Sequence, residues 1–258
     1  TLATAKTSIG AATNTRIFIG DSGNYTDSVS LNSNGWLIGQ GVTGTTFDDL
    51  FGIVAPAEGS LATRPSLGLA APTITVSSAG TNVVNLSGAG TTNSVRGLVL
   101  GTGSATTKGI AGSGFGTLTA TDLTISGSGP ALDLATGSFA SGSGFTSISS
   151  SGGANGIKLA SVGSTGTVSL GGGALSGATA NTFDISGGAG SFSYSGTIAS
   201  GSARSVSIAG KTAGAVTLSG NITDSDTGIL LSDNGTTTID LSGQLTLNTT
   251  TNTAFSVL

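Results

Sequence analysis

An apolar–outward–apolar triplet returns along this chain about every 24 residues, and that interval constrains the fold more than anything else in the sequence. The triplet reads Leu132-Asp133-Leu134, Ile157-Lys158-Leu159, Phe183-Asp184-Ile185, Val206-Ser207-Ile208, Ile229-Leu230-Leu231 and Phe255-Ser256-Val257, with steps of 25, 26, 23, 23 and 26 residues. Ile110 stands where an earlier member belongs. A second series lies between these: Val168-Ser169-Leu170, Phe192-Ser193-Tyr194, Val216-Thr217-Leu218 and Ile239-Asp240-Leu241, with Leu123 and Phe145 extending it backwards. A third, weaker series is Leu175, Ile198, Ile222 and Leu245. Three series with one period predict three short strands per turn of a coil.

The alternation supplies the physics. Residues i and i+2 of a strand face the same side, so the apolar pair points inward and the middle residue outward. Such a strand cannot bury its inner face alone. Wound into coils stacked about 4.8 Å apart, the three strands enclose one apolar column and pair in parallel with their equivalents one coil on. The predicted fold is an all-β, right-handed parallel β-helix (a solenoid) of ten to eleven coils, or about 50 Å at the β-strand spacing. A helical reading fails, because the apolar period is 2 rather than 3.6 and Gly, Thr, Val and Ile lower helix propensity. A β-sandwich also supplies many short strands, but it does not require a recurring three-strand register.

The composition is consistent with this and narrows the function. Only 8% of the 258 residues are charged, 45 are Gly, and Cys, His and Met are absent. The net charge of −4 is spread along the chain, with no block of Lys or Arg to follow a nucleic-acid backbone. No apolar run approaches the roughly 18–20 residues that span a bilayer, so no membrane insertion by this segment is expected. A start at Thr1 without Met suggests a mature chain after leader removal or a section of something longer.

Before about residue 75 the character changes. Trp36, Tyr25, Glu58 and three of the four Pro residues lie there, and Leu2, Ala5, Ile9 and Ala12 have the spacing of a short capping helix. The expected division is therefore an N-terminal cap with irregular first coils over 1–75 and regular coils over 76–258, in one continuous domain. The elements Ile17-Phe-Ile19, Gly23-Asn-Tyr25, Val29-Ser-Leu31 and Leu37-Ile-Gly-Gln-Gly41 resemble the start of pectin-lyase-like β-helix proteins. Gly156-Ile-Lys-Leu159 and Asp226-Thr-Gly-Ile-Leu-Leu231 look like the repeats of long bacterial surface proteins and adhesins of the autotransporter or haemagglutinin kind. The resemblance implies the β-helix fold, and it allows both polysaccharide-cleaving enzymes and inert stalks. Residues 43–75 match neither pattern and are expected to leave the coil as a loop or side excursion.

Little in the sequence offers chemistry. Asp133, Lys158 and Asp184 take the outward position of the first series on successive coils, so they should stack on one face. Read functionally, two carboxylates flanking an amine could hold a uronic acid or a cation; read structurally, they form an alternating-charge ladder. Asp224-Ser-Asp226-Thr-Gly228 lacks the full ligand pattern of a Ca²⁺ loop and reads as an Asp-rich corner. Gly210-Lys-Thr212 ends like a phosphate loop, but Ser205 replaces its first Gly. Asp48-Asp49 is a lone pair. Asn155 and Asn181 are expected to stack at a corner and share amide hydrogen bonds. The Thr runs 236–238 and 249–251 do not form the regular ranks of an ice-binding face.

The last triplet runs to the end of the sequence with no polar or helical cap. Further coils of a longer parent chain, or head-to-tail stacking of copies through the end-coil residues Leu2, Ile9, Phe255, Val257 and Leu258, would cover it. The expectation is a non-catalytic structural rod or fibre-forming segment of a bacterial surface or secreted protein, with no metal or cofactor. The alternative is a polysaccharide-binding or lyase-like β-helix acting on acidic host or matrix glycans.

Overall fold

A computed structural model of the chain describes residues 2–9, 12–54, 63–88 and 92–258, with backbone alone at 7–9. It is a parallel β-solenoid of about 10 turns, roughly 24 residues each. Every strand pairing among the described residues is parallel, which removes the sandwich alternative.

The first series forms an unbroken ladder. Val29 stands beside Val84, and then Ile110, Leu132, Ile157, Phe183, Val206, Ile229 and Phe255 follow in register. The second ladder runs Val168, Phe192, Val216, Ile239, and the third runs Leu175, Ile198, Ile222, Leu245. These side chains point inward and most are fully buried, in one core cluster running from Leu2 to Ile229. One expected alignment is displaced. Gly144 pairs with Ser169, which sets Phe145 against Leu170 rather than Val168. The offset is two residues, so Phe145 keeps its inward direction and stays buried.

Aromatic rings fill the middle of the column. Phe139 meets Phe115, Phe145 and Phe192 edge-on, with centroids 6.1–6.3 Å apart. Tyr194 is also buried, and its hydroxyl donates to the Ile148 carbonyl at 2.9 Å. Without that bond the phenol would forfeit its hydrogen bonding to water on entering the core.

The N-terminal coils differ in having a covered outer face. Helix α1 (Leu2–Ile9) sits at the end of the column, with Leu2 packed into the core. The excursion predicted over 43–75 contains a short helix α2 (Phe47–Phe51). Thr46 caps it, accepting from the Asp49 N–H at 3.1 Å while its hydroxyl donates to the Asp49 carboxylate at 2.7 Å. The helix lies on Phe18, Trp36 and Ile38, which point outward from their strands, and together with Val42, Leu50, Phe51 and Leu67 they form a second small core. The chain re-enters past Gly39, where a β-carbon would overlap the Gly97 carbonyl oxygen and approach Pro72 to 2.8 Å. Close approach of backbones is thus the physical requirement behind the Gly-Gln-Gly sequence.

Candidate functional site

The three residues singled out on the outer face do come together. Lys158 is the register partner of Asp133 on one side and of Asp184 on the other, and all three are half-buried. The structure adds a fourth member. Lys108 reaches the Asp133 carboxylate at 2.5 Å, so charges alternate along the axis as Lys108, Asp133, Lys158, Asp184. Lys108 precedes its own triplet by two residues, and apolar periodicity carried no signal for it.

Burial pushes the Asp184 carboxyl above the usual carboxylate range. Hydrogen bonds from Asn181 and Ser207 and the charge of Lys158 oppose that shift, and Asp133 adds to it. Asn181 Nδ2 donates to Asp184 Oδ1 at 3.1 Å, and Asn155 Nδ2 donates to the Asn181 backbone carbonyl at 2.8 Å. The paired Asn residues therefore support the corner and, through it, the ladder's last carboxylate. Beside Lys108 and Asp133 the surface forms a hollow of about 270 Å³, to which Asn82 and Asn85 also contribute.

The remaining candidates are structural. Asp224 is buried and accepts from the Ser205 N–H at 2.7 Å and the Asp226 N–H at 2.8 Å, which folds the corner around its own carboxylate. Asp48 pairs with Arg64 at 2.6 Å inside the excursion, and Asp49 belongs to the cap of α2. No group of three or more potential metal ligands converges among the described residues. Lys211 turns into the protein rather than toward any anion. It is buried, its Nζ donates to the Gly190 carbonyl at 2.7 Å, and it lies 5.6 Å from the Phe192 ring centroid. Burial lowers its pKa.

Of the end-coil residues, Leu2 is enclosed within the core, and the Ile9 side chain lies outside the described residues. Phe255, Val257 and Leu258 are 41%, 68% and 77% exposed, and Leu245 is 39% exposed. Beside them, Leu231, Ile239, Val257 and Leu258 line a hollow of about 480 Å³. No helix among the described residues is long and apolar enough to cross a membrane. Compared with protein-family models, curated proteins and solved structures, the chain matches none.

Proposed function

We propose that this chain is a load-carrying rod, a segment of a secreted or cell-surface bacterial protein whose task is to extend and to stack. The observation that carries this reading is the unbroken register from Val29 to Phe255. Each coil hydrogen-bonds both neighbours, so length is gained with no loss of stiffness. The exposed apolar side chains of the last described coil, beside an open strand edge, form a surface on which another coil stacks in the same register. That coil belongs either to a longer parent chain or to a second copy joined head to tail.

Negative-stain electron microscopy across a protein concentration series tests the self-stacking form. Filaments of uniform width that lengthen with concentration support it, and Phe255→Glu should abolish them. Short rods of constant length at every concentration overturn it.

A second reading, contact with acidic glycans along the outer face, draws on the hollow beside Lys108 and Asp133. It ranks below the rod because the ladder's cations already face carboxylates of their own coil stack. Glycan-array binding that Asp184→Ala removes would favour it.

A further inference from the structure

Asparagine precedes glycine at three places, Asn34-Gly35, Asn155-Gly156 and Asn234-Gly235. Such a pair carries latent chemistry. The glycine has no side chain to shield its nitrogen from the neighbouring amide carbon, and asparagine is among the thermolabile residues. The fold treats the three pairs differently. Gly35 is buried, and its N–H is taken by two acceptors, the Asn32 carbonyl and Asn93 Oδ1, both at 2.9 Å. Asn155 and Gly156 are both buried inside a strand (Asn155–Ser164), and the Asn155 amide donates to the Asn181 carbonyl at 2.8 Å. In the first pair the nitrogen is engaged, and in the second water is excluded.

Asn234-Gly235 is open. It lies in the turn between the strands Ile229–Ser232 and Thr238–Leu241, where the Thr237 N–H donates to the Asn234 carbonyl at 2.9 Å. Gly235 is exposed, with φ +50°, and among the described residues its N–H meets no acceptor. Both residues line the hollow of about 480 Å³ beside Leu231 and Leu258, so solvent reaches them. The Asn234 amide is held from two sides. Its Oδ1 accepts from the Lys211 N–H at 3.2 Å, and its Nδ2 donates to the Ile208 carbonyl at 2.8 Å. A backbone N–H on Oδ1 stabilises most when negative charge develops on that oxygen. The pair thus combines a free nitrogen, an amide carbon one residue away and a donor for the oxyanion.

We propose that Asn234-Gly235 is a self-converting modification site that marks the age of the chain and loosens its last described coils. Water or hydroxide removes the proton of the Gly235 N–H, the nitrogen bonds to Asn234 Cγ, and the Cγ–Nδ2 bond breaks. Nδ2 takes up a proton from solvent and leaves as ammonia, and a succinimide ring remains. Water then opens that ring at Cγ to give aspartate, or at the main-chain carbonyl to give isoaspartate. The net change is water consumed and ammonia released, with no redox step. Either product carries a carboxylate, which cannot donate to the Ile208 carbonyl and stands next to Asp233. Isoaspartate also lengthens the main chain at a corner where the Gly210 N–H donates to the Ser232 carbonyl at 2.8 Å. The site does not depend on the rod function.

Peptide mapping by mass spectrometry, on wild-type protein aged in mildly alkaline buffer with and without guanidinium chloride, tests the proposal. In the folded protein Asn234 should convert at least about tenfold faster than Asn34 or Asn155. The denaturant should bring the three rates within about threefold of one another, because the unfolded chain gives each pair similar freedom. The consequence is read by hydrogen exchange on Asn234→Asp, which carries the aspartate product from the start. Its strands Arg204–Ala209 and Ile229–Ser232 should exchange about tenfold faster than in wild type, while Leu132–Phe139 stays unchanged. The proposal is overturned if Asn234 stays an amide, if the three pairs convert alike in the folded protein, or if the same spread survives in guanidinium. Unchanged exchange in Asn234→Asp overturns it equally.

Discussion

Thr136 stacks on Ser161 at the same corner of successive coils, and both hold left-handed backbone, φ +52° and +53°. The corner continues through Gly187, Gly210 and Asp233, with φ +67°, +64° and +52°. Five coils thus demand one conformation, and two of them supply the residue without a β-carbon. A β-branched residue in this region costs roughly 1–2 kcal/mol. Thr136 is exposed, so few contacts oppose its replacement. Thr136→Gly should raise stability by about 0.5–1 kcal/mol, after the extra chain entropy of glycine is deducted. Gly187→Val should lower it by about 1–2 kcal/mol. Denaturant unfolding of the two variants reads both signs, and a destabilised Thr136→Gly would refute the argument.

Gly137 is required for a different reason. A β-carbon there would lie 2.5–2.6 Å from three carbons of the Phe115 ring, which is fully buried and packed edge-on against Phe139. Gly137→Ala should therefore cost about 1–3 kcal/mol by overpacking. Phe115→Leu in the same protein should recover part of the loss. A double-mutant cycle by thermal unfolding would show the coupling, and strict additivity would mean that the ring gives way freely.

Asp184 sets a pH dependence. Its folded pKa lies above the unfolded value, chiefly through burial, so the folded state holds the proton more tightly. Stability is then highest below the unfolded pKa and declines as pH rises through the folded one. Asp184→Asn, which still accepts from Asn181, should melt higher than wild type at neutral pH. The advantage should vanish once the wild-type carboxyl is protonated. Melting curves from acidic to neutral pH check this, and a gap that widens on acidification would reverse the assignment.

Lys211 is the basic counterpart. Burial lowers its pKa, so its charged form costs stability at neutral pH, and the cost is relieved as pH climbs from the folded pKa to the ordinary lysine value. Lys211→Met should gain about 1 kcal/mol near neutrality, even with the 2.7 Å bond to Gly190 lost. That gain should shrink in alkali. A loss of stability at neutral pH would show that the carbonyl and the Phe192 ring outweigh desolvation.

The three ladders were legible in the sequence because inward and outward residues alternate strictly and the coil length varies by only a few residues. Lys158 between Asp133 and Asp184 follows from that spacing alone. The second core was not legible as such. Its signal was present in Phe18 and Ile38, apolar residues at outward positions, which require a cover that periodicity cannot identify. Lys108 and Lys211 were missed because their roles arise at corners. There, chain direction and reach decide the contacts, and no repeating pattern marks the residue. Phe145 was assigned the right face and, in Leu123, the right neighbour on one side, but the wrong one on the other, since a two-residue slip leaves the alternation unchanged.

The alternation Lys108, Asp133, Lys158, Asp184 has a consequence during folding. Coils so alike in sequence invite mispairing, in which a strand skips its neighbour and docks on the next one along. Skipping one coil here would set Asp133 against Asp184, and like charges directly opposite each other are repelled. The ladder thus acts as a parity check on assembly. An error of one coil is penalised at the moment of pairing.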